Sequence, residues 1–290
     1  MAFMSTLSFL PSSKPLLNFT LALLICFAHA VDADEQSALP SNGIGFSTIT
    51  VKDGKMHFAY SGNPEKTGVL FMHGTPGGWS AFEGYLNSKN LQSEFFMISV
   101  DRLGWGGSSM TSNKVDGDFS TQAASIAAVM SHFDSKKWII VGHSLGASIA
   151  PQVAAQAPHQ TSALLLLAGS LNPKLGKPRW YNLAANTWLV SQLIGEEMRN
   201  SNREIMGLRS ELIAMNELLN ERRLPTRLVV MQGMQDKLVS PKNPSFVAKE
   251  WADNFKSIEL IELEDEGHFL PWRQTPLIIE TLQKLAKPLR

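Results

Sequence analysis

Residues 138–150 read WIIVGHSLGASIA. An apolar block runs into Gly142-His143-Ser144-Leu145-Gly146 and then into a second block of small apolar residues. The G-x-S-x-G pattern alone is weak evidence, because about 3 in 10,000 windows carry it by chance. Its surroundings are more telling: KWIIVG is strand-like, the glycines make a tight turn, and GASIAPQVAAQ has helical spacing. A strand, turn and helix in that order lift a serine hydroxyl off the carboxyl edge of a sheet. The helix that starts there aims free N–H groups at developing negative charge. Ser144 is therefore a candidate nucleophile.

The same rhythm extends in both directions. FSTITV and KMHFAY flank Lys52-Asp53-Gly54, and Asp-Gly between two alternating runs signals a hairpin. Further strand-like runs follow at residues 68–73, 95–100, 137–142, 163–168, 227–232 and 257–263. Several are continuously apolar, as parallel strands covered on both faces should be. Helix-length segments such as STQAASIAAVMSHF separate them. The expected fold class is α/β: a mostly parallel, doubly wound sheet of eight strands with an antiparallel amino-terminal hairpin.

One interval breaks the rhythm. Residues 171–225 are too long for a single crossover, and within them Ile205, Leu208, Leu212, Met215 and Leu219 recur every three or four positions. That spacing predicts an amphipathic helix in a helical cap inserted into a core of residues 45–170 and 226–290. Trp180, Tyr181 and Trp188 in the cap are candidates either for lining an apolar substrate pocket or for the cap's own core.

A serine hydroxyl needs a base to take its proton, and the base needs an acceptor to fix its tautomer. Of the seven histidines, His268 in EDEGHFLPW follows the last strand and so reaches the sheet edge that carries Ser144. His143 adjoins Ser144 and should point elsewhere, and His73 begins a different loop. Asp236 in RLVVMQGMQDKLVSP stands just past another strand, which makes it the candidate acid ahead of Asp101, Glu264 and Asp265. For the oxyanion hole, the backbone N–H groups of Leu145 and of Thr75 in FMHGTPGGW are the candidate donors.

With these residues in view, the chain resembles the lid-bearing group of α/β-hydrolase fold proteins that includes esterases, epoxide hydrolases and proline iminopeptidases. It carries HGTPGG, DRLGWGGS, GHSLG, GMQD and EGH in that family's order, across roughly residues 45–288. The resemblance implies Ser144 as nucleophile, Asp236 as acid, His268 as base, and Thr75 and Leu145 as oxyanion donors. It implies a structural role for the turn at Asp101 and Arg102. Epoxide hydrolases are similar around HGxP but place Asp at the elbow, where this chain has Ser144. Proline iminopeptidases are similar at the oxyanion loop but read Gly where this chain has Thr75. They also need cap acids to hold a substrate amine; Glu196, Glu197, Glu204 and Glu211 are available for that, or else form a solvated helix face.

The expected activity is a serine hydrolase acting on a small ester or related acyl compound through an acyl-enzyme. An iminopeptidase-like aminopeptidase and a non-catalytic ligand-binding module of the same fold are the alternatives. No metal cluster, phosphate loop or dinucleotide fingerprint is present in the sequence, so no metal or other cofactor is expected.

Composition narrows the partners. Among 290 residues, 26 Lys and Arg balance 26 Asp and Glu. With no basic face, nucleic acid is not an expected partner; a small-molecule acyl substrate is. The first forty residues differ from the rest: Lys14 precedes an apolar run from Leu16 to Ala28, and Ala28-His29-Ala30 suits signal peptidase. Residues 1–30 read as a signal peptide and 31–44 as a linker. An exported protein, periplasmic or secreted, without stable membrane insertion after cleavage is the expectation, and an uncleaved membrane anchor is the alternative. Cys26, the single cysteine, lies inside this segment, so a processed chain has no disulfide framework and no thiol nucleophile. Composition says nothing of the oligomeric state.

Overall fold

The computed structural model describes residues 43–111, 118–133 and 137–287. All of them fall within one compact unit, Leu39–Arg290. The signal peptide expected at 1–30 lies outside the described residues.

Among the described residues nine strands form one sheet: β1 (Gly45–Val51), β2 (Gly54–Gly62), β3 (Thr67–Met72), β4 (Phe95–Val100), β5 (Ser109–Met110), β6 (Trp138–His143), β7 (Thr161–Leu167), β8 (Leu224–Gly233) and β9 (Phe255–Leu263). Their spatial order is β1-β2-β4-β3-β6-β7-β8-β9, with β5 beside β2. The hairpin expected at Asp53-Gly54 forms as an antiparallel pair with Val51 opposite Gly54. From β4 to β9 every pairing is parallel. The count is nine rather than eight because β5, only two residues long, pairs with β2 at Lys55 and Gly54. A strand that short has no sequence period to read.

The helices in chain order are α1 (Glu83–Leu86), α2 (Lys89–Glu94), α3 (Phe119–His132), α4 (Leu145–Gln156), α5 (Trp180–Ala185), α6 (Trp188–Leu193), α7 (Glu196–Asn220), α8 (Asn243–Glu250), α9 (Leu270–Arg273) and α10 (Thr275–Ala286). They cover both faces of its centre, which is why β3, β4, β6 and β7 are near-continuously buried. Along β3, Leu70 and Met72 join the cluster packed with α3 and α4, whereas Val69 and Phe71 join the one packed with α10. Alternate side chains of a strand point to opposite faces, so both must be apolar when both are covered.

Helices α5, α6 and α7 lie between β7 and β8. The amphipathic stripe falls on α7, with Leu208, Leu212, Met215 and Leu219 buried. Helices α5 and α6 bury none of their residues.

Candidate active site

The turn at Ser144 has the geometry its sequence suggests. Ser144 has φ 54° and ψ −118°, a left-handed conformation that costs a non-glycine residue about 1–3 kcal/mol. The surrounding fold imposes it. Ser144 N–H donates to the Leu167 carbonyl of β7 at 2.9 Å, while the Ser144 carbonyl accepts from Ser148 N–H at 3.2 Å within α4. Two glycines let the helix approach the sheet. A Cβ on Gly142 would stand 2.5 Å from the Gly146 carbonyl oxygen, and one on Gly146 would stand 2.3 Å from the Met72 carbonyl oxygen. Gly146→Ala is therefore expected to push α4 off the end of β3, unlike an ordinary helix glycine, where Ala is favoured. Denaturant unfolding should show it destabilised by more than about 1 kcal/mol; a neutral or stabilised variant would contradict this packing.

Asp236 and His268 come together from the ends of β8 and β9. His268 Nδ1 meets Asp236 Oδ2 at 2.7 Å, and both side chains are buried. The other carboxylate oxygen, Oδ1, accepts the backbone N–H groups of Leu238 at 2.7 Å and Val239 at 2.8 Å. Gln232 Nε2 also donates to Oδ2, at 3.2 Å. Burial raises the Asp236 pKa, but the His268 and backbone hydrogen bonds outweigh it and hold the carboxyl below its usual range. It stays an anion that fixes the imidazole by its Nδ1–H and leaves Nε2 free. The rival acids do not reach His268: Glu264 and Asp265 are exposed, and Asp101 pairs instead with His57 Nδ1 at 2.8 Å.

Ser144 and His268 line one cavity of about 330 Å³, together with Thr75, Leu145, Tyr181 and Leu208. No hydrogen bond joins Ser144 Oγ to His268 across this cavity. Leu145 N–H lies in the first turn of α4, ahead of Ser148, the first to donate within the helix, and so has no intrahelical acceptor. Gly74, next to Thr75, lies so close to the elbow that a Cβ there would come within 2.9 Å of Ser144 Cβ. The loop carrying Thr75 and the turn carrying Ser144 are thus in van der Waals contact. Thr75 Oγ1 is buried without a hydrogen-bond partner.

Of the three aromatic pocket candidates, only Tyr181 lines this cavity. Trp180 and Trp188 are 79% and 77% exposed, so they serve neither as its wall nor as cap core, and the short helices that carry them bury nothing. Apolar lining comes instead from Leu175, Ile205, Leu208, Leu238 and Val239. Two of these, Ile205 and Leu208, were legible as an apolar helical stripe. The other three carry no sequence signal of a pocket.

The cap glutamates separate. Glu204 is buried, and the guanidinium of Arg102 grips it through Nη1 at 2.6 Å and Nη2 at 3.1 Å, with Trp105 Nε1 donating at 3.2 Å. It is neither a solvated face nor free to hold an amine. Arg102 also donates to the carbonyls of His73 at 3.1 Å and Gly74 at 2.9 Å, tying α7 to the loop that carries Thr75. Glu211 accepts the Phe119 N–H at the start of α3. Glu196 and Glu197 are exposed. Glu204→Ala strands a buried guanidinium charge and is expected to lower unfolding free energy by about 3–5 kcal/mol in denaturant titrations. A loss below about 1 kcal/mol would contradict the buried pair.

His143 lies against His268, with ring centroids 4.9 Å apart, and supports the site. Its Nε2 donates to the His268 carbonyl at 3.0 Å, with the Trp272 ring edge-on at 5.4 Å. Burial, and then the proximity of His268, pull its pKa down to about 4. Unfolded, the ring takes up its proton near pH 6.5; folded, it stays neutral until about pH 4. The unfolded state therefore binds more protons between those values, and stability falls as pH falls across that window, by about 3 kcal/mol. Asp236 acts in the same direction lower down, since stability from a depressed carboxyl is lost as pH falls through its folded pKa. His143→Gln keeps a donor and should flatten the slope between pH 6.5 and 4; an unchanged slope would contradict this assignment.

A family model described as alpha/beta hydrolase fold matches residues 68–192, the segment that holds β3, the oxyanion-loop candidate and the elbow. The strand order, the parallel run from β4 to β9 and the elbow between β6 and α4 agree with that match. The chain has the α/β-hydrolase fold. This hydrolase-fold chain is 20% identical over 271 residues to an uncharacterized hydrolase of Bacillus subtilis, covering 82% of this chain and 97% of that protein. It is 30% identical over 118 residues to a probable 1-acylglycerol-3-phosphate O-acyltransferase of Oryza sativa subsp. japonica, covering 38% of this chain. That match spans only 28% of the rice protein's length, and the match to epoxide hydrolase 4 of Mus musculus spans 40% of its length. Among solved structures, 2-hydroxy-6-oxo-6-phenylhexa-2,4-dienoate hydrolase from Rhodococcus sp. strain RHA1 superposes with a TM-score of 0.63 at 19% identity, covering 83% of this chain and 98% of that one. That likeness is one of fold.

Proposed function

We propose that this protein is a serine hydrolase that cleaves a small ester or related acyl compound through an acyl-enzyme on Ser144. The observation that carries the reading is the 2.7 Å Asp236–His268 pair on the cavity into which the strained Ser144 turn opens. In the proposed cycle His268 Nε2 takes the Ser144 hydroxyl proton as Oγ attacks the acyl carbon. The tetrahedral oxyanion accepts hydrogen bonds from the Leu145 and Thr75 N–H groups, and His268 then protonates the departing alcohol. A water deprotonated by the same imidazole releases the acid and restores Ser144.

The electrostatics of the cavity favour an ester over an aminopeptidase substrate. No Asp or Glu lines it, while Lys177 and Arg179 do. The one acid on this stretch of α7 that is buried near the oxyanion loop, Glu204, is already held by Arg102. A free substrate amine would meet cations and no counter-charge. With a series of p-nitrophenyl esters beside a prolyl-naphthylamide, the expected result is ester turnover with an initial burst of nitrophenol and negligible amide cleavage. Preferential cleavage of the prolyl amide would overturn the ester assignment.

A further inference from the structure

The exposed apolar surface of the insertion is explained neither by the core nor by the proposed chemistry. Helices α5 and α6 bury no residue, and Trp180, Trp188 and Leu193 are 79%, 77% and 80% exposed, with Leu183 and Leu189 also exposed. Large apolar side chains gathered in this way on a water-facing surface mark a place of association. Its charge is one-sided. Residues 137–195 contain no Asp or Glu, whereas Lys174, Lys177 and Arg179 stand exposed just before α5. Arg179 donates to the carbonyls of Lys237 and Leu238, so its charge is not cancelled by a carboxylate.

We propose that this face docks on an anionic phospholipid surface. Tryptophan and tyrosine are the side chains that settle at the headgroup level, because one end of the ring system is apolar and the other donates a hydrogen bond. Leucines beside them reach the acyl boundary, and lysine and arginine meet anionic headgroups. A second copy of this chain fits less well. A two-fold contact sets a patch against itself, which would face a surface whose only charges near α5 along the chain are Lys174, Lys177 and Arg179 with an identical one and no acid to pair them. The next acids along the chain, Glu196 and Glu197, open α7, and Glu197 lines a separate cleft with His57 and Trp79. Among the described residues no helix is long and apolar enough to cross a membrane, and the contact proposed for α5 and α6 is adsorption. The cavity mouth shares this surface: Tyr181, Met198 and Leu238 are exposed and also line the cavity. An amphiphilic acyl compound would enter from the lipid side. Docking itself does not depend on the chemistry at Ser144.

The test is hydrogen–deuterium exchange of residues 180–193 in the full chain, alone and with vesicles of phosphatidylcholine or of phosphatidylcholine mixed with phosphatidylglycerol. This readout is local, so vesicle binding through any other segment does not mimic it. Protection that appears with the anionic vesicles and not with the neutral ones is expected. Lys174→Gln and Lys177→Gln should each weaken it about fivefold, and Trp188→Ser with Leu193→Ser should remove it. Protection in the absence of vesicles that rises with protein concentration would assign the face to a second copy and overturn the proposal. Protection without vesicles at all concentrations that does not increase when anionic vesicles are added would assign the face to a segment of this chain, with the same consequence. No protection, or equal protection on neutral vesicles, would also overturn it.

Discussion

Ser144→Ala is expected to lower kcat by about 10⁶-fold, the usual cost of removing a triad nucleophile. The fold should survive the change. Ser144 Oγ is committed to no structural partner, and the hydrogen bonds that hold the turn are made by the Ser144 N–H to Leu167 and by the Ser148 N–H to Ser144, so alanine keeps both. Alanine tolerates φ 54° no better and no worse than serine, which leaves the strain in place. A folded Ser144→Ala protein, with wild-type thermal midpoint and near-normal turnover, would sink the mechanism.

Asp236→Asn carries the second large effect, about 10⁴ in kcat. Asparagine can still accept the Leu238 and Val239 N–H groups, so the loop should hold its shape. What changes is the partner of His268 Nδ1. If the amide nitrogen turns toward the ring, Nδ1 must become an acceptor, the proton moves to Nε2, and the base loses the lone pair it needs for Ser144. The other His–Asp pair serves as the control. Asp101 holds His57 Nδ1 at 2.8 Å and also accepts the backbone N–H groups of Trp79 and Gly107, beside a cleft that does not include Ser144. Asp101→Asn should cost stability while changing kcat of the remaining folded protein by less than about tenfold. Comparable kcat losses in the two variants would remove the distinction between a catalytic and a structural pair.

Much of this was legible before any coordinates, because the signals were local. Strands β3, β4, β6 and β7 are near-continuous apolar runs, and the structure covers both their faces. The placement of Ser144, Asp236 and His268 was legible because each follows the carboxyl end of its own strand, and a parallel sheet gathers those ends along one edge. What could not be read depends on partners distant in sequence. The partner of Glu204 is Arg102, at a separation of 102 residues, and nothing in the helical pattern of α7 marks one glutamate as buried among others that are exposed. Trp180 and Trp188 looked like pocket or core because large aromatics usually are; only the packing shows that α5 and α6 bury nothing. Adjacency to Ser144 predicts only that His143 points elsewhere; its hydrogen bond to the His268 carbonyl rests on a contact across 125 residues.

The most direct test of the account is covalent labelling of the full chain with a fluorophosphonate, read by mass spectrometry of the peptide that contains residues 138–150. The reagent needs only an activated serine and an oxyanion hole, so the natural substrate need not be known. The account predicts stoichiometric labelling on Ser144, strongly slowed in Asp236→Asn and absent in Ser144→Ala. An intact, folded protein that leaves Ser144 unlabelled would contradict it and favour a binding module built on the same fold.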